Sequence, residues 1–348
     1  MSDTKLVIGM PAGSLADPMR GGSLVNLLKG AGFHAKGYDE GGPTTFPLNS
    51  FLVGWDGRPQ EFGAQLALGE IDIAISGEDW MRERTLEMKY EYGQDVELAK
   101  ILSLERGKVR IVIIKTDDGE NDCDAWLKGL LSGKKLLSMV SEMPYIAVEW
   151  FQAKAAALGF GESHGAFSIQ KYKTPPKIDA GLVVYETWGK TEAKVMNRSV
   201  DFGLEITQSG SAIRNYGLKI AEVVMESEAG VWANPALKND PEKYDLAKMV
   251  LLNLYGSIFA EHKVLVSFNC KKDGVDKVLA YLEENKLFGT EPTMNEGTKY
   301  VELSIELDVQ ATDLTLARVR YELAKLGAVA IETIPLESSI PGLDVIDF

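Results

Sequence analysis

Residues 58–79 read RPQEFGAQLALGEIDIAISGED, and this stretch decides the fold class. Pro59 suits the first turn of a helix, apolar residues follow at helical spacing, and a glycine stands near the end. The next apolar run, IDIAIS, is too short for a helix and breaks at Gly77, so it predicts a strand. Working outward, KLVIGMP and FLVGW read as strands and SLVNLLKGAGF as a helix with a glycine stop. On the other side VRIVIIK, KKLLSMVS and AGLVVYE read as strands, alternating with helical segments such as PYIAVEWFQAKAAALGF. Alternation of this kind predicts α/β architecture with parallel sheets.

The pattern changes after the helix EKYDLAKMVLLNLYGSIFAEH. KVLVSFNC, GVDKVLAYLEENK, KYVELSIEL, TLARVRYELAKLG and AVAIETIPL read strand, helix, strand, helix, strand, and EPTMNEG leaves room for one more short strand. The order βαββαβ is that of a small ferredoxin-like domain, with its boundary near residue 260.

The chain has 348 residues, enough for two or three domains, with 45% hydrophobic and 25% charged residues. Its 51 acidic and 37 basic residues give a net charge of −14. An acidic surface of this kind repels nucleic acid and anionic membranes, so a phosphorylated ligand requires a local site. No apolar run has the length of a membrane span, and the first residues, MSDTKLVIGMPAG, lack the pattern of a secretory signal. A cytoplasmic protein with reduced thiols is the expectation. Cys123 and Cys270 lie far apart, as do His34, His164 and His262, which gives no support for a zinc site or a histidine-based triad.

Three stretches, RPQEFGAQLALGEIDIAISGED (58–79), TEAKVMNRSVDFGLEITQSGSAIRNYGL (191–218) and the C-terminal LAKLGAVAIETIPLESSI, together resemble the long form of ATP phosphoribosyltransferase, in an order covering nearly the whole chain. The resemblance implies transfer of a phosphoribosyl group from phosphoribosyl pyrophosphate (PRPP) to N1 of ATP, with magnesium, as a step of histidine biosynthesis. It implies a two-lobed core like that of periplasmic binding proteins and a C-terminal ACT-like regulatory domain that binds histidine. On this reading catalytic domain I comprises residues 1–110 and 226–259, catalytic domain II residues 111–225, and the regulatory domain residues 260–348. A hexamer, or dimers of the same chain, is the implied assembly.

The residues themselves support a phosphate loop at 208–213. Gln208, Ser209, Gly210, Ser211, Ala212 and Ile213 lead from a strand into a helix start, where backbone N–H groups and two serine hydroxyls face an anion. The resemblance places the 5′-phosphate of PRPP here and Glu205 near the ribose. The alternative reading is a plain strand-to-helix turn capped by serine. Relatives usually carry Asp where Glu205 stands and threonines after the glycine. Ser211 replaces one such donor; Ala212 does not.

Gly77, Glu78 and Asp79 close the strand of the second stretch, where ligands bind in open α/β sheets. The resemblance implies nucleotide contact there, with Glu78 or Asp79 as candidate general bases; an acidic helix cap is the other reading. Arg58 matches a family arginine and suits a pyrophosphate clamp, or a surface ion pair with Asp56 or Glu61. Glu192 and Asp201 match acidic positions and suit Mg²⁺ held through water; a solvated helix face is the alternative for Glu192. In the first loop Gly13, Ser14 and Arg20 are the nucleotide candidates. Ala12 and Ser14 stand where relatives have cations, and Arg20 substitutes for them from a short insertion. In the C-terminal module Asn269, Thr293 and Glu296 are the candidates for holding histidine. A paralogue acting on another base, or a non-catalytic binding protein of the same architecture, is the competing function.

Overall fold

The computed structural model describes residues 5–11, 23–33, 38, 45–49, 52–289, 291–346 and 348. They form two compact units, residues 1–25 with 35–247 and residues 26–34 with 248–348.

The first unit is built on one ten-stranded sheet. Its strands are β1 (Leu6–Pro11), β2 (Thr45–Asn49), β3 (Leu52–Gly57), β4 (Ile73–Gly77), β5 (Ala99–Thr116), β6 (Leu136–Ser141), β7 (Phe167–Lys171), β8 (Gly181–Glu186), β9 (Phe202–Thr207) and β10 (Leu218–Ala233). The order across the sheet is β2-β3-β1-β4-β10-β5-β9-β6-β8-β7. Two parallel blocks result, β3-β1-β4 and β9-β6-β8-β7. The antiparallel strands β5 and β10 run between them, so the expected parallel sheets are joined into one mixed sheet. Each of these long strands borders one block: β10 pairs with β4 through Ile73–Gly77, and β5 pairs with β9 through Arg110–Ile114. Their mutual ladder carries several register shifts. Such irregularities increase local twist and bend a strand.

Helices α2 (Pro59–Leu68), α3 (Glu78–Tyr92), α4 (Cys123–Gly133), α5 (Pro144–Ala157), α6 (Gly161–His164), α7 (Thr191–Met196) and α8 (Ser211–Asn215) complete this unit. The residues of 58–79 fold as their order dictates. Pro59 opens α2, and Gly69, at φ 72°, closes it: its N–H donates to the carbonyl of Leu66 and that of Glu70 to the carbonyl of Gln65. On one face of the sheet Ile111, Ile113, Met139, Phe202 and Leu204 pack beneath Leu127, Phe151 and Leu86 of the helices. On the other, Val112, Ile114, Val140 and Val183 pack with Val195 of α7 and Ile213 of α8.

The second unit contains α1 (Leu24–Gly30) from Asn26 onward, most of α9 (Pro241–Ala260), and a four-stranded antiparallel sheet. Its elements are β11 (Lys263–Lys271), α10 (Val275–Glu284), β12 (Thr293–Glu296), β13 (Tyr300–Asp308), α11 (Leu316–Lys325) and β14 (Val329–Pro335). The sheet order β12-β13-β11-β14 is that of a ferredoxin-like fold, including the short strand for which EPTMNEG left room. Val266, Phe268, Cys270, Leu303, Ile305 and Leu307 form its core with Val278, Leu282, Val319 and Leu323 of the two helices.

Candidate active site

The loop after β9 is held from below. Thr207 Oγ1 accepts the N–H of Gly210 at 2.9 Å, and Ser209 Oγ accepts the N–H of Ser211 at 3.3 Å. Ser209 Oγ also lies 3.0 Å from Ser211 Oγ. Gly210 is the N-cap of α8 and adopts φ 71°, a left-handed conformation that glycine takes without steric cost. The N-cap itself has no side chain, and the serine bond at the start of this helix is that of Ser209 to the N–H of Ser211, as the plain strand-to-helix turn also requires. Gln208, Ser209, Ser211 and Ala212 are exposed, whereas Ile213 is a core residue of the sheet face. Ile213 therefore offers a ligand only its N–H, which, with that of Ala212, has no acceptor inside the first helical turn.

Glu205 lies on β9 opposite Val112, on the face covered by α7 and α8. Burial, followed by the negative charge of Glu192 nearby, pushes its carboxyl up to about 7. One of its oxygens accepts the N–H of Ile206 at 3.0 Å. The hydroxyl of Thr191 stands beside it, fully buried and without a well-aligned hydrogen bond. Glu142 adds a further, weaker negative influence and accepts the N–H of Gly189 at 2.5 Å.

Two arginines that sequence reading missed flank the loop. Arg214 Nη1 donates to the carbonyl of Ser209 at 2.8 Å, and Arg110 Nη2 makes a long contact of 3.5 Å with the carbonyl of Gln208. Arg110 faces Thr207 across the β5–β9 ladder. A cavity of about 500 Å³ opens here, running from Gln208 past Arg110, Lys108 and Lys100 to Glu78 at the end of β4. It brings the phosphate-loop candidate and one nucleotide candidate to a single space. The signal available in the sequence was RGKVR at 106–110, three cations within five residues of an acidic chain.

The other candidates are distributed unevenly. Glu78 lines the cavity but is paired with Lys100 at 2.6 Å. Asp79 is turned inward: its carboxylate accepts the hydroxyl of Ser227 at 2.9 Å, and burial raises its pKa. Engaged and 5% exposed, Asp79 is poorly placed to contact a nucleotide or act as a base. Neither acid caps α3, whose N-cap is Gly77. Arg58 is exposed at the N-cap of α2, next to Gln60 and Glu61, which line a second cavity of about 310 Å³. That cavity has a carboxylate-rich wall including Glu83, Glu87, Glu142 and Glu186.

Glu192 and Asp201 are not brought together as a metal pair. Glu192 neighbours Glu205, whereas Asp201 precedes the amino end of β9, about 13 Å of extended chain away. The Asp201 carboxylate is occupied by the N–H and hydroxyl of Ser138 and by Lys134. No cluster of three or more acidic, histidine or cysteine side chains suited to a metal occurs among the described residues. Gly13, Ser14 and Arg20 lie outside the described residues, as does Ala12.

In the second unit, Asn269 faces Glu302 across the ladder, and Thr293 faces Ser304. Strand alternation puts these on one face of the sheet, while Glu296, opposite the buried Val301, belongs to the other. Glu296 instead meets Lys272 at 3.3 Å. The three histidine candidates thus do not converge as one constellation.

Comparison with known proteins agrees with this architecture. Residues 58–254 match the family model described as ATP phosphoribosyltransferase. The chain is 26% identical over 333 residues to an ATP phosphoribosyltransferase of Pelodictyon phaeoclathratiforme, covering 94% of each. It is 27% identical over 347 residues to one of Trichlorobacter lovleyi, covering 97% of this chain and 99% of the relative. In fold it is similar to a chain of the ATP phosphoribosyl transferase (HisG:HisZ) complex from Thermotoga maritima. That similarity covers 72% of this chain and 98% of the other, with a TM-score of 0.50 at 14% identity. With the family model spanning more than half of its length, the chain belongs to the ATP phosphoribosyltransferase family.

Proposed function

We propose that the chain transfers the phosphoribosyl group of PRPP to N1 of ATP, releasing pyrophosphate, in the first step of histidine biosynthesis. The observation that carries this reading is the Gly210 turn with Glu205 behind it, both inside the family's matched region. In this reading the hydroxyls of Ser209 and Ser211 and the N–H groups of Ala212 and Ile213 hold the 5′-phosphate. Placement and electrostatics supply the catalysis, because C1 becomes cationic as pyrophosphate departs and no covalent nucleophile is needed. Glu205, ionised, stabilises that charge from the ribose side. Arg58 and the first loop, with Gly13, Ser14 and Arg20, serve the polyphosphate groups; Gly77 and Glu78 serve the nucleotide.

Magnesium fits as an ion brought with the substrate phosphates, since it commonly takes only one or two carboxylates and keeps several waters. Glu192 and Glu205 are the side chains suited to it, through water; Asp201, already occupied, is not. Bound, the ion neutralises phosphate charge. The second unit is the regulatory domain in this reading, with histidine as its effector, and the enzyme works as a cytoplasmic homo-oligomer, a hexamer or dimers. Among the described residues no helix is long and apolar enough to cross a membrane.

The first loop, with Ala12 and Ser14 where relatives have cations, favours a second reading, in which a relative with the same donor site acts on another base. One experiment separates the two. The protein is mixed with PRPP, Mg²⁺ and ATP, and both pyrophosphate and phosphoribosyl-ATP are followed by mass spectrometry. Product from ATP supports the first reading. Pyrophosphate release with another base and none with ATP supports the second. No release with any base refutes both.

A further inference from the structure

Lys108, Arg110 and Arg214 stand out in this acidic protein because none of them has a carboxylate within ion-pair distance among the described residues, although Lys108 acts from further off on Glu228 in the same cavity. Lys100, in the same cavity wall, shows the contrast: Glu78 and Glu228 neutralise it at 2.6 and 2.9 Å. Glu226 faces Arg110 directly across the β5–β10 ladder without pairing with it. The two arginines also converge on one turn. A Cβ built on Gly210 would lie 3.2 Å from Arg214 Nη1 and 3.9 Å from Arg110 Nη2, so both guanidinium groups approach one point. Like charges brought to one turn repel, and an anion between them relieves that repulsion. Lys108 follows two residues away on β5 and lines the same cavity, about 7 Å further along an extended chain. The wall thus presents two cationic centres rather than one.

We propose that these residues form the anion wall of the donor site: Arg110 and Arg214 neutralise the 5′-phosphate against the Gly210 turn, and Lys108 takes the diphosphate at C1. The inference rests on the PRPP reading and adds the residues that recognise the donor. A ribose separates the two anionic ends of PRPP by a span of the same order as that between Lys108 and Arg110. The arginines suit the phosphate near the loop because a guanidinium presents several donors in a fixed plane, whereas Lys108 acts as a point charge.

The test uses K108Q, R110Q and R110K in the full chain, with R214K in place of R214Q because Arg214 also holds the Ser209 carbonyl. Calorimetric titrations employ ribose 5-phosphate and magnesium pyrophosphate as separate probes. R110Q should weaken ribose 5-phosphate about tenfold or more, and K108Q should do the same for pyrophosphate, each sparing the other probe. In steady state both variants should raise KM for PRPP by a similar factor and leave KM for ATP within about twofold. R110K should recover part of the loss. Wild-type affinity for both probes in folded K108Q and R110Q overturns the proposal, as does an equal rise in KM for ATP. If the wild-type protein makes no phosphoribosyl-ATP, the functional reading fails separately, and the two titrations still decide whether the anion wall exists.

Discussion

Glu83 of α3 is the side chain whose removal tests the packing around the candidate site most directly. It is 4% exposed and accepts the N–H groups of Tyr145 at 3.0 Å and Ile146 at 2.8 Å, in the first turn of α5. Burial pushes its carboxyl from 4.5 up to about 8; the two N–H bonds and Arg84 pull the other way, and Glu87 adds to the rise. A carboxyl with a raised folded pKa binds its proton more tightly in the folded state. Its contribution to stability is therefore greatest below the unfolded value and is lost as pH rises through the folded one. Each unit between 4.5 and about 8 costs up to about 1.4 kcal/mol, so the full interval amounts to on the order of 5 kcal/mol at most. Glu83→Gln removes the titration and keeps one carbonyl acceptor, at a constant cost of about 1–3 kcal/mol for the N–H it leaves badly paired. Urea unfolding followed by tryptophan fluorescence, from pH 4.5 to 8.5, gives the difference between the two proteins and cancels the titration of the other carboxylates. The wild type should start more stable and lose its advantage as pH rises. A constant difference across that range, or one that grows in favour of the wild type, refutes the assigned shift.

Glu205→Gln should fold and turn over on the order of a hundredfold more slowly, because charge beside a developing cation is lost. Since burial holds the Glu205 carboxyl near 7, wild-type kcat/KM should rise through neutral pH and that limb should vanish in the variant; a rate within twofold of wild type would make Glu205 structural. Gly210→Val forces a branched side chain into φ 71° and against Arg214, so calorimetry should find PRPP affinity abolished; unchanged affinity in a folded variant removes the phosphate-loop assignment. Millimolar histidine should lower the initial rate of the full-length protein if the second unit is regulatory, and indifference to histidine sinks that role.

The alternation of strand and helix was legible because each segment carries its own punctuation, as Pro59, Gly69 and Gly77 show. The length of β5 was not. VRIVIIK is only its second half, and Glu105, Arg106 and Lys108 interrupt the apolar pattern where the first half pairs with β10 and not with β9. β7 was missed for the opposite reason: FSIQK is short, polar in part and lies at the sheet edge. In the site, the turn at Ser209 and Gly210 was visible as small residues between a strand and a helix. Arg110 was not, because it reaches Gln208 from 98 residues away, and only the β5–β9 ladder brings them together. Asp201 misled for a related reason: an acidic residue at a family position says nothing about whether Ser138 and Lys134 already occupy it.

The nesting of β5 and β10 also sets an order of events during synthesis. Residues 117–217, which include β6 to β9, lie between these two strands in the chain, and β4 gains its second neighbour only when Ile73–Gly77 meets Ala229–Ala233. The β9-β6-β8-β7 block has all its strands, and β5 as its edge partner, before β10 leaves the ribosome. It can close early, while β1, β3 and β4, made first, wait for β10 with an open parallel edge. Such edges invite pairing with other chains. A pause in translation just before residue 218 should therefore be tolerated poorly, with the N-terminal strands as the segment that aggregates or recruits chaperones.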